Sequence, residues 1–240
     1  MARFFVPAAS LTAKRFTLEG SEARHALKVL RLKEGDEIDC FDGKDSAFRA
    51  RIVSVSGTDR LSADILDARV PSRDVSASVT LCQALLKGPK WDWLIEKASE
   101  IGVDRLIPLH TRRTVVHETD RDARKLDRWQ KIAVASAKQC GRERVMTIDA
   151  PVLFVDLWAS KPDTALTLIP WEKEESTPLR MPEGKNVWIL IGPEGGWDPA
   201  EIKLAEKHGA RPVRLGPTLL RAETAGIVAA TLALREMGIY

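Results

Sequence analysis

Short runs of alternating apolar and polar residues characterise the first 70 residues, and turn residues separate the runs. Such alternation is typical of half-buried strands. The predicted strands cover residues 4–6, 15–18, 37–41, 47–55 and 60–65. Asp42, Gly43, Lys44 and Asp45 separate two of these runs and form a strong hairpin signal. The pattern therefore predicts a small β-barrel domain over residues 1–70.

One helix interrupts this strand pattern. Ser21 is placed to cap its N-terminus, and the apolar stripe consists of Ala23, Ala26, Leu27 and Leu30. Arg24, Lys28 and Arg31 follow at i, i+4 and i+7 on another face, which predicts a basic ridge. This ridge suits a phosphate backbone, but an ordinary solvated face has the same composition.

From residue 75 onwards, buried apolar strands alternate with helical periods. The strands are predicted at residues 79–85, 105–109, 164–169, 187–191 and 212–215, with helices at 122–139 and 223–237. A further helix carries apolar positions from Trp91 to Ile101 and ends at Gly102. Asp198, Pro199 and Glu201 match a capping box at the start of another helix. Residues 75–240 are therefore predicted to form an α/β domain with a parallel sheet covered on both faces.

Composition excludes several classes of protein. The longest apolar runs, such as residues 187–191, are far shorter than the roughly 20 residues of a membrane span, and the chain shows no signal-peptide pattern. We therefore expect a cytoplasmic protein. Cys40, Cys82 and Cys140 are widely separated and lack metal-ligand spacing, so neither a disulfide framework nor a metal site is predicted.

Charge is unevenly distributed along a chain whose formal net charge is only +3. Residues 1–33 hold seven basic and two acidic side chains, residues 34–70 hold five and nine, and residues 112–144 hold ten and five. Clustered positive charge suits a polyanion such as RNA, because each phosphate contact releases counterions. Solvated faces of the same composition are also common.

Two glycine-containing segments, residues 191–196 and 215–225, follow predicted strands. Ligands of α/β sheets bind at the carboxyl ends of strands, and glycines let a ligand approach the backbone closely. Neither segment has dinucleotide or phosphate-loop spacing, and Glu194 would repel a phosphate. The segments therefore indicate a pocket for a ligand without phosphate, or a cationic one, which disfavours an NTPase or a dehydrogenase. The alternative is that each glycine segment is only a turn.

The second segment also contains polar side chains and two adjacent leucines. The side chains of Leu219 and Leu220 could pack on an aromatic ring of a ligand. The Thr224 hydroxyl could form hydrogen bonds with polar groups of that ligand. Arg221 precedes the last helix and could hold an anion or a carbonyl oxygen. Glu223 fits a helix N-terminus, where acidic side chains are stabilising, better than it fits a site role.

These segments resemble the cofactor-binding end of the SPOUT methyltransferases, specifically the RsmE family, which methylates N3 of a uridine in 16S ribosomal RNA. Residues 3–6, 25–32 and 35–36 resemble the family's PUA-like RNA-binding domain, and residues 83–88, 96–103 and 137–142 its central motifs. The likeness thus covers nearly the whole chain. It departs at Thr114 and Cys140, where serine is usual, and at Ala222, where threonine is usual.

The resemblance implies a trefoil knot at the C-terminal cofactor site, a homodimer, and the small ribosomal subunit or its 16S RNA as partner. It implies S-adenosylmethionine as the cofactor, in a bent conformation. The cofactor contacts carried over are Leu168, Ile169, Pro170, Gly192, Pro193, Glu194, Gly195, Leu215, Gly216, Leu220, Thr224 and Ala225. The RNA-binding candidates are Arg3, Arg24, His25, Lys28, Arg31, Arg113 and Arg142.

The resemblance implies a reaction in which a uracil nitrogen loses its proton and attacks the sulfonium methyl group of the cofactor. A fixed positive charge near a uracil oxygen would stabilise the anion, and Arg221 is the candidate for that role. Glu223 is the nearest candidate general base, and His25 is an alternative. Two other functions remain open: a SPOUT enzyme acting on a ribose 2′-hydroxyl or on another base of ribosomal or transfer RNA, and a non-catalytic RNA-binding module.

Overall fold

A computed structural model of the chain describes residues 3–7, 10–12, 14–69, 77–115, 122–180 and 186–240. The chain divides into two compact units, of which the first comprises residues 1–73 and 137–145 and the second residues 74–136 and 146–240. The predicted domain boundary, between residues 70 and 75, lies outside the described residues. No sequence signal predicted that residues 137–145 belong with the first unit.

The first unit contains, within the described ranges, a sheet of five strands. They are β1 (Arg3–Phe5), β2 (Arg15–Glu19), β3 (Glu37–Phe41), β4 (Ala47–Ser56) and β5 (Arg60–Arg69). Their order is β1-β3-β4-β5-β2; β1 runs parallel to β3, and the other neighbours are antiparallel. The predicted strands are thus confirmed, with ends that differ by a few residues.

Alternate positions on these strands build the core of the first unit. Phe4, Phe16, Ile38, Phe48 and Leu61 are almost fully buried in one apolar cluster. The predicted hairpin joins β3 and β4: the Asp42 carboxylate accepts hydrogen bonds from the backbone N–H groups of Lys44 and Ser46, at 2.7 and 3.0 Å. The sequence pattern was therefore sufficient to identify the strands and the hairpin.

The helix of the first unit differs from the prediction. An α-helix, α1, spans only Gly20–Arg24; its N-cap is Glu19, without a side-chain capping bond, so the predicted cap by Ser21 is wrong. The chain then continues as a π-helical turn, His25–Val29, in which the Leu30 N–H donates to the His25 carbonyl at 3.1 Å. Arg31 lies beyond it at a φ of 56°. Arg24, Lys28 and Arg31 therefore do not share one α-helical face, and the predicted ridge is wrong in its geometry.

Residues 137–145 pack within the first unit through several polar contacts. The Lys138 ammonium lies 2.8 Å from a Glu22 carboxylate oxygen, and the Val145 N–H donates to the Gly43 carbonyl at 3.1 Å. Arg144 forms an ion pair with Asp45. Gly43 has a φ of 77°, and a Cβ there would lie 2.8 Å from the Phe5 ring, so this position requires glycine.

The second unit contains, in the part of the chain that is described, a sheet of seven parallel strands. They are β6 (Val79–Ala84), β7 (Arg105–His110), β8 (Thr147–Ile148), β9 (Val152–Leu153), β10 (Leu166–Pro170), β11 (Val187–Ile191) and β12 (Arg211–Val213). The order is β12-β10-β11-β6-β7-β8, and β9 also pairs with β7. The predicted α/β architecture with a parallel sheet is confirmed.

Four longer helices accompany this sheet: α2 (Pro89–Ile101), α3 (Asp122–Cys140), α4 (Pro199–Lys207) and α5 (Ala222–Glu236). Gly102 ends α2 with a φ of 100°, and the capping box at Asp198 and Glu201 is present, as the sequence predicted. None of the helices in the described ranges is both long and apolar enough to cross a membrane. The described ranges also lack a group of three or more His, Cys, Asp or Glu residues suited to a metal ion.

The register of the sheet brings three strand ends to one edge. Pro170, the last residue of β10, pairs with Val213, the last residue of β12, and Leu168 pairs with Ile189 of β11. The loops that follow β10, β11 and β12 therefore leave the sheet side by side, where ligands of α/β folds bind. The trefoil knot stays a prediction.

Candidate active site

A cleft of about 890 Å³ lies in the second unit, where β10, β11 and β12 end. We call its three walls the β10 loop (residues 170–179), the β11 loop (191–198) and the β12 loop (214–222). The lining residues are Pro170, Trp171, Glu172, Glu174 and Glu175 of the first, Ile191 to Trp197 of the second, Arg214 to Ala222 of the third, and Lys90 and Ala225 from α2 and α5. Most of this wall is loop backbone with small or apolar side chains, which suits a small organic ligand.

The β11 loop is packed tightly against its own tryptophan. A Cβ on Gly192 would lie 3.2 Å from the Trp197 ring, whose Nε1 donates to the Pro170 carbonyl at 3.3 Å. Gly196 has a φ of 70°, and its N–H donates to the Pro193 carbonyl at 2.9 Å. The glycines therefore permit a turn in which a larger residue would strain the backbone or displace a side chain.

Arginines hold two of the loops through backbone carbonyl groups. The Arg113 guanidinium donates to the Gly195 carbonyl at 3.0 Å. The Arg214 guanidinium donates to the carbonyls of Gly216 and Glu175, at 3.0 and 3.2 Å, and so joins the β12 loop to the β10 loop. Neither arginine was predicted to have this role, because each bond joins residues that no local pattern relates.

The β10 loop contains a tight turn organised by Glu174. One oxygen of its carboxylate accepts hydrogen bonds from the Ser176 hydroxyl and from the backbone N–H groups of Ser176 and Thr177, at 2.7 to 2.9 Å. The Ser176 hydroxyl and these N–H groups lower the pKa of Glu174 to about 2. The carboxylate is therefore ionised at neutral pH, at the wall of the cleft.

Acidic side chains outnumber basic ones along the lining. Glu172, Glu174, Glu175 and Glu194 oppose Lys90, Arg214 and Arg221. Groups of both signs are engaged: Lys90 lies between Glu194 and Glu223, Arg214 bonds backbone carbonyls, and Glu174 accepts from Ser176 and Thr177, so one more carboxylate than cation remains along the lining. The cleft thus favours a ligand that carries positive charge over a phosphate.

Lys90 joins two of the predicted site residues. Its Nζ lies 3.7 Å from Glu194 Oε1 and 3.5 Å from Glu223 Oε1. Glu223 is buried, and its Oε2 has no hydrogen-bond partner among the described residues. The carboxylate sits in the first turn of α5, as the sequence predicted, and Lys90 is a partner that no sequence signal identified.

The predicted cofactor residues fall into two groups. Those lining the cleft are Pro170, Gly192, Pro193, Glu194, Gly195, Leu215, Gly216, Leu220 and Ala225. Leu168 and Ile169 are instead almost fully buried within β10, and Thr224, in the first turn of α5, is not among the lining residues although its neighbour Ala225 is. Trp171, Glu172, Glu175 and Trp197 line the cleft and were not predicted. Their position just after β10 and β11 was the signal available for them.

Of the predicted catalytic residues, Arg221 lines the cleft. It is the N-cap residue of α5 and is exposed. Glu223 is close to the cleft through Lys90 but does not line it.

The predicted RNA-binding residues are divided between the units. Four of them are exposed in the first unit: Arg24 ends α1, His25 and Lys28 lie in the π-helical turn, and Arg31 follows it. Arg3 and Arg142 belong to the same unit; the Arg3 guanidinium lies 5.2 Å from the centre of the Phe41 ring and 3.8 Å from Glu143. Arg113 instead belongs to the second unit, beside the β11 loop.

Family models match both units. Residues 73–234 match the model of an RNA methyltransferase domain, and residues 18–66 match that of an RNA methyltransferase PUA domain. The second match agrees with the PUA-like character that the sequence indicated for the first unit.

Individual relatives extend these matches over nearly the whole chain. The ribosomal RNA small subunit methyltransferase E of Bacillus subtilis is 30% identical, over 90% of this chain and 88% of its own length. The protein of the same name from Mesomycoplasma hyopneumoniae is 30% identical, over 98% of this chain and 100% of its own. A crystal structure of the Neisseria gonorrhoeae protein of that name, bound to S-adenosyl methionine, superimposes on this fold with a TM-score of 0.85. The two sequences are 31% identical, and the match covers 98% of this chain and 97% of that one. With this sequence similarity, both family models and the shared fold, the chain belongs to the RNA methyltransferase family that includes the ribosomal RNA small subunit methyltransferase E proteins.

Proposed function

We propose that this protein transfers a methyl group from S-adenosylmethionine to N3 of a uridine in the 16S RNA of the small ribosomal subunit, and that it acts as a homodimer. The observation that carries the proposal is the cleft formed by the β10, β11 and β12 loops. It combines the open backbone of Gly216 and the glycine turn of the β11 loop with an excess of carboxylates. A relative that shares this fold is bound to the same cofactor.

The residues present fit that cofactor. S-adenosylmethionine supplies an electrophilic methyl group on a positively charged sulfonium, together with an ammonium group and an adenine ring. Glu172, Glu174, Glu175 and Glu194 provide negative charge for the cationic groups, and Trp171, Ile191, Leu215, Leu219 and Leu220 provide apolar surface for the ring. A Cβ on Gly216 would meet nothing within 4 Å, so its backbone is open to a ligand.

Arg221 is the residue that we assign to the chemistry. Removal of the N3 proton leaves negative charge on the uracil oxygens, and a fixed guanidinium stabilises that charge as it develops. Arg221 lines the cleft and precedes the first turn of α5, whose free N–H groups add a partial positive charge. The rest of the rate acceleration comes from holding the nitrogen and the methyl group in line.

Glu223 remains our candidate for the group that accepts the proton. Its Oε2 is buried and lacks a hydrogen-bond partner among the described residues, and a proton on this carboxylate would relieve that unsatisfied acceptor. Lys90 contacts Oε1 and fixes the other side of the carboxylate. His25 is the alternative acceptor, and it lies exposed in the first unit.

RNA binding is assigned mainly to the first unit. Arg24, Lys28 and Arg31 present exposed positive charge there, with His25 between them in sequence. Such groups contact phosphates and position the RNA, whereas base contacts specify the target.

Two measurements test the proposal together. Addition of S-adenosylmethionine at about 100 times its Kd should stabilise the protein by about 2.7 kcal/mol, because the ligand binds only the folded state. Incubation with 16S RNA or small subunits from a strain lacking this protein should then yield 3-methyluridine by nucleoside mass spectrometry. A 2′-O-methylated nucleoside or another methylated base would show a different target atom. Absence of both stabilisation and methylation would favour a non-catalytic RNA-binding module.

A further inference from the structure

We infer that Arg113 is a positioning residue for the cofactor, which sets the conformation of the β11 loop, and that this is its main role rather than contact with RNA. The inference rests on the proposed function, because it assigns S-adenosylmethionine to the cleft that this loop walls.

The first observation is the contact between Arg113 and the loop. Its Nη1 donates to the Gly195 carbonyl at 3.0 Å, and its Nη2 lies 3.9 Å from Asp198 Oδ2. A Cβ on Gly195 would lie 3.4 Å from the Cβ of Arg113, so the side chain follows the loop closely. One guanidinium therefore contacts the middle of the β11 loop and the N-cap of α4, where the loop ends.

The second observation is that this bond completes the restraint of one peptide group. The carbonyl of the Gly195–Gly196 peptide accepts from Arg113, and its N–H donates to the Pro193 carbonyl at 2.9 Å. Because a peptide group is planar, fixing both polar ends fixes its orientation. The flanking residues are glycines, whose backbone would otherwise sample many conformations. Glu194, which precedes this peptide, is thereby held near Lys90.

The third observation is that the turn carrying Arg113 is itself anchored. In the turn Thr111 to Thr114, the Thr111 N–H donates to Thr114 Oγ1 at 3.0 Å and the Thr114 N–H donates to the Thr111 carbonyl at 3.1 Å. The Glu201 carboxylate, almost fully buried, accepts from the N–H groups of Arg112 and Asp198, at 2.9 and 3.1 Å. The turn after β7 and the start of α4 thus share one satisfied carboxylate, which holds Arg113 at a fixed distance from the loop.

Arg112 provides a matched control for Arg113. It lies in the same turn, carries the same charge, and its Nη1 is 3.5 Å from Asp198 Oδ1. Within the described residues the Gly195 carbonyl accepts from Arg113 and not from Arg112, and the contact of Arg112 with Glu201 uses the backbone N–H, which alanine retains. The two substitutions therefore differ mainly in the bond to the Gly195 carbonyl.

The test compares Arg113→Ala and Arg112→Ala in the full chain, by calorimetry with S-adenosylmethionine and by a binding assay with 16S RNA. We expect Arg113→Ala to raise the Kd for the cofactor by about tenfold, the effect of losing one charge-assisted hydrogen bond, and Arg112→Ala to change it less than about twofold. The two variants should not differ from each other in RNA affinity, because each removes one positive charge from the same turn of the second unit. In steady-state assays, Arg113→Ala should raise KM for the cofactor while kcat at saturating cofactor stays near that of the wild type.

An unchanged cofactor Kd in Arg113→Ala, with RNA binding weakened more than in Arg112→Ala, would overturn the inference in favour of an RNA contact. If Arg113→Ala does not fold, Arg113→Met, which keeps most of the side-chain length and removes the donor to the Gly195 carbonyl, serves instead, and cofactor affinity equal to that of Arg112→Ala would overturn the inference. Failure of the wild-type protein to bind S-adenosylmethionine would count against the proposed function instead.

Discussion

Arg221 combines two sources of positive charge at one point of the cleft. Its guanidinium is exposed along the lining, and its backbone is the N-cap of a helix of 15 residues, α5, whose first N–H groups are unpaired within the helix. The backbone conformation there, with φ −64° and ψ 151°, is extended and unstrained. Because the side chain is not needed to cap the helix, its removal should affect the site more than the fold.

Arg221→Ala should therefore leave cofactor binding nearly intact and slow methyl transfer. Loss of one preorganised group that stabilises a developing oxyanion costs on the order of 10²–10³ in kcat. Calorimetry with S-adenosylmethionine and a single-turnover methylation assay measure the two effects separately. Arg221→Lys keeps the charge without the planar fork and should fall between the wild type and Arg221→Ala. Full activity of Arg221→Ala would exclude this role.

The β10 loop shows how one side chain organises a segment that has no regular structure. Glu174 accepts from Ser176 and Thr177, and the Thr177 carbonyl in turn accepts from the Arg214 N–H at 2.7 Å. The turn is thereby joined to the start of the β12 loop. Since the pKa of Glu174 is lowered from 4.5 to about 2, its contribution to stability is complete above about pH 4.5 and is lost as the pH falls through about 2.

Glu174→Gln should accordingly lower Tm at neutral pH, because a neutral amide oxygen is a weaker acceptor than a carboxylate. The difference in Tm between wild type and variant should narrow as the pH is lowered from 5 towards 3. Glu175→Gln is the matched control, since it removes the same charge next to Glu174 and leaves the bonds to Ser176 and Thr177 in place. A Tm difference specific to Glu174 that stays constant over this pH range would contradict the prediction.

Elements whose signals are local were predictable. The capping box at Asp198 and Glu201 and the hairpin at Asp42 depend on residues within four positions of each other. The π-helical turn His25–Val29 was not predicted, because the apolar spacing of Ala23, Ala26 and Leu27 is equally compatible with an α-helix. The two helix types differ in hydrogen-bond register: the Leu30 N–H donates to the His25 carbonyl, five residues back, at 3.1 Å, and the sequence pattern does not encode that register.

The candidate site was also predictable where its signals are local, and not where it depends on contacts between distant residues. Its glycine segments follow directly from strands, so both position and type of loop could be inferred, and most of the residues proposed to contact the cofactor line one cleft. The bond between Arg113 and Gly195 joins residues 82 positions apart, and the pair of Lys90 and Glu223 is also distant in sequence. Such contacts depend on the register of the parallel sheet, which is set by packing over the whole unit rather than by any short pattern.

The two units differ in the charge that they expose at the sites proposed for the cofactor and for RNA. The cleft is built entirely from residues of the second unit and has an excess of carboxylates. The exposed basic residues Arg24, Lys28 and Arg31 belong to the first unit. We therefore expect cofactor affinity and RNA affinity to respond to different substitutions and to salt in different ways, because only RNA binding releases many counterions.

Lys28→Ala tests this separation. If Lys28 contacts a phosphate, its loss should weaken binding to all RNA sequences similarly and reduce the slope of log K against log salt concentration by about one. Cofactor affinity should not change, because the residues lining the cleft all lie in the second unit. Lys207→Ala, at the exposed last turn of α4, removes the same charge from the second unit and should leave the salt slope unchanged. Equal salt dependence of RNA binding in the two variants would show that the π-helical turn does not contact the RNA backbone. A changed cofactor Kd in Lys28→Ala would show that cofactor binding depends on the first unit.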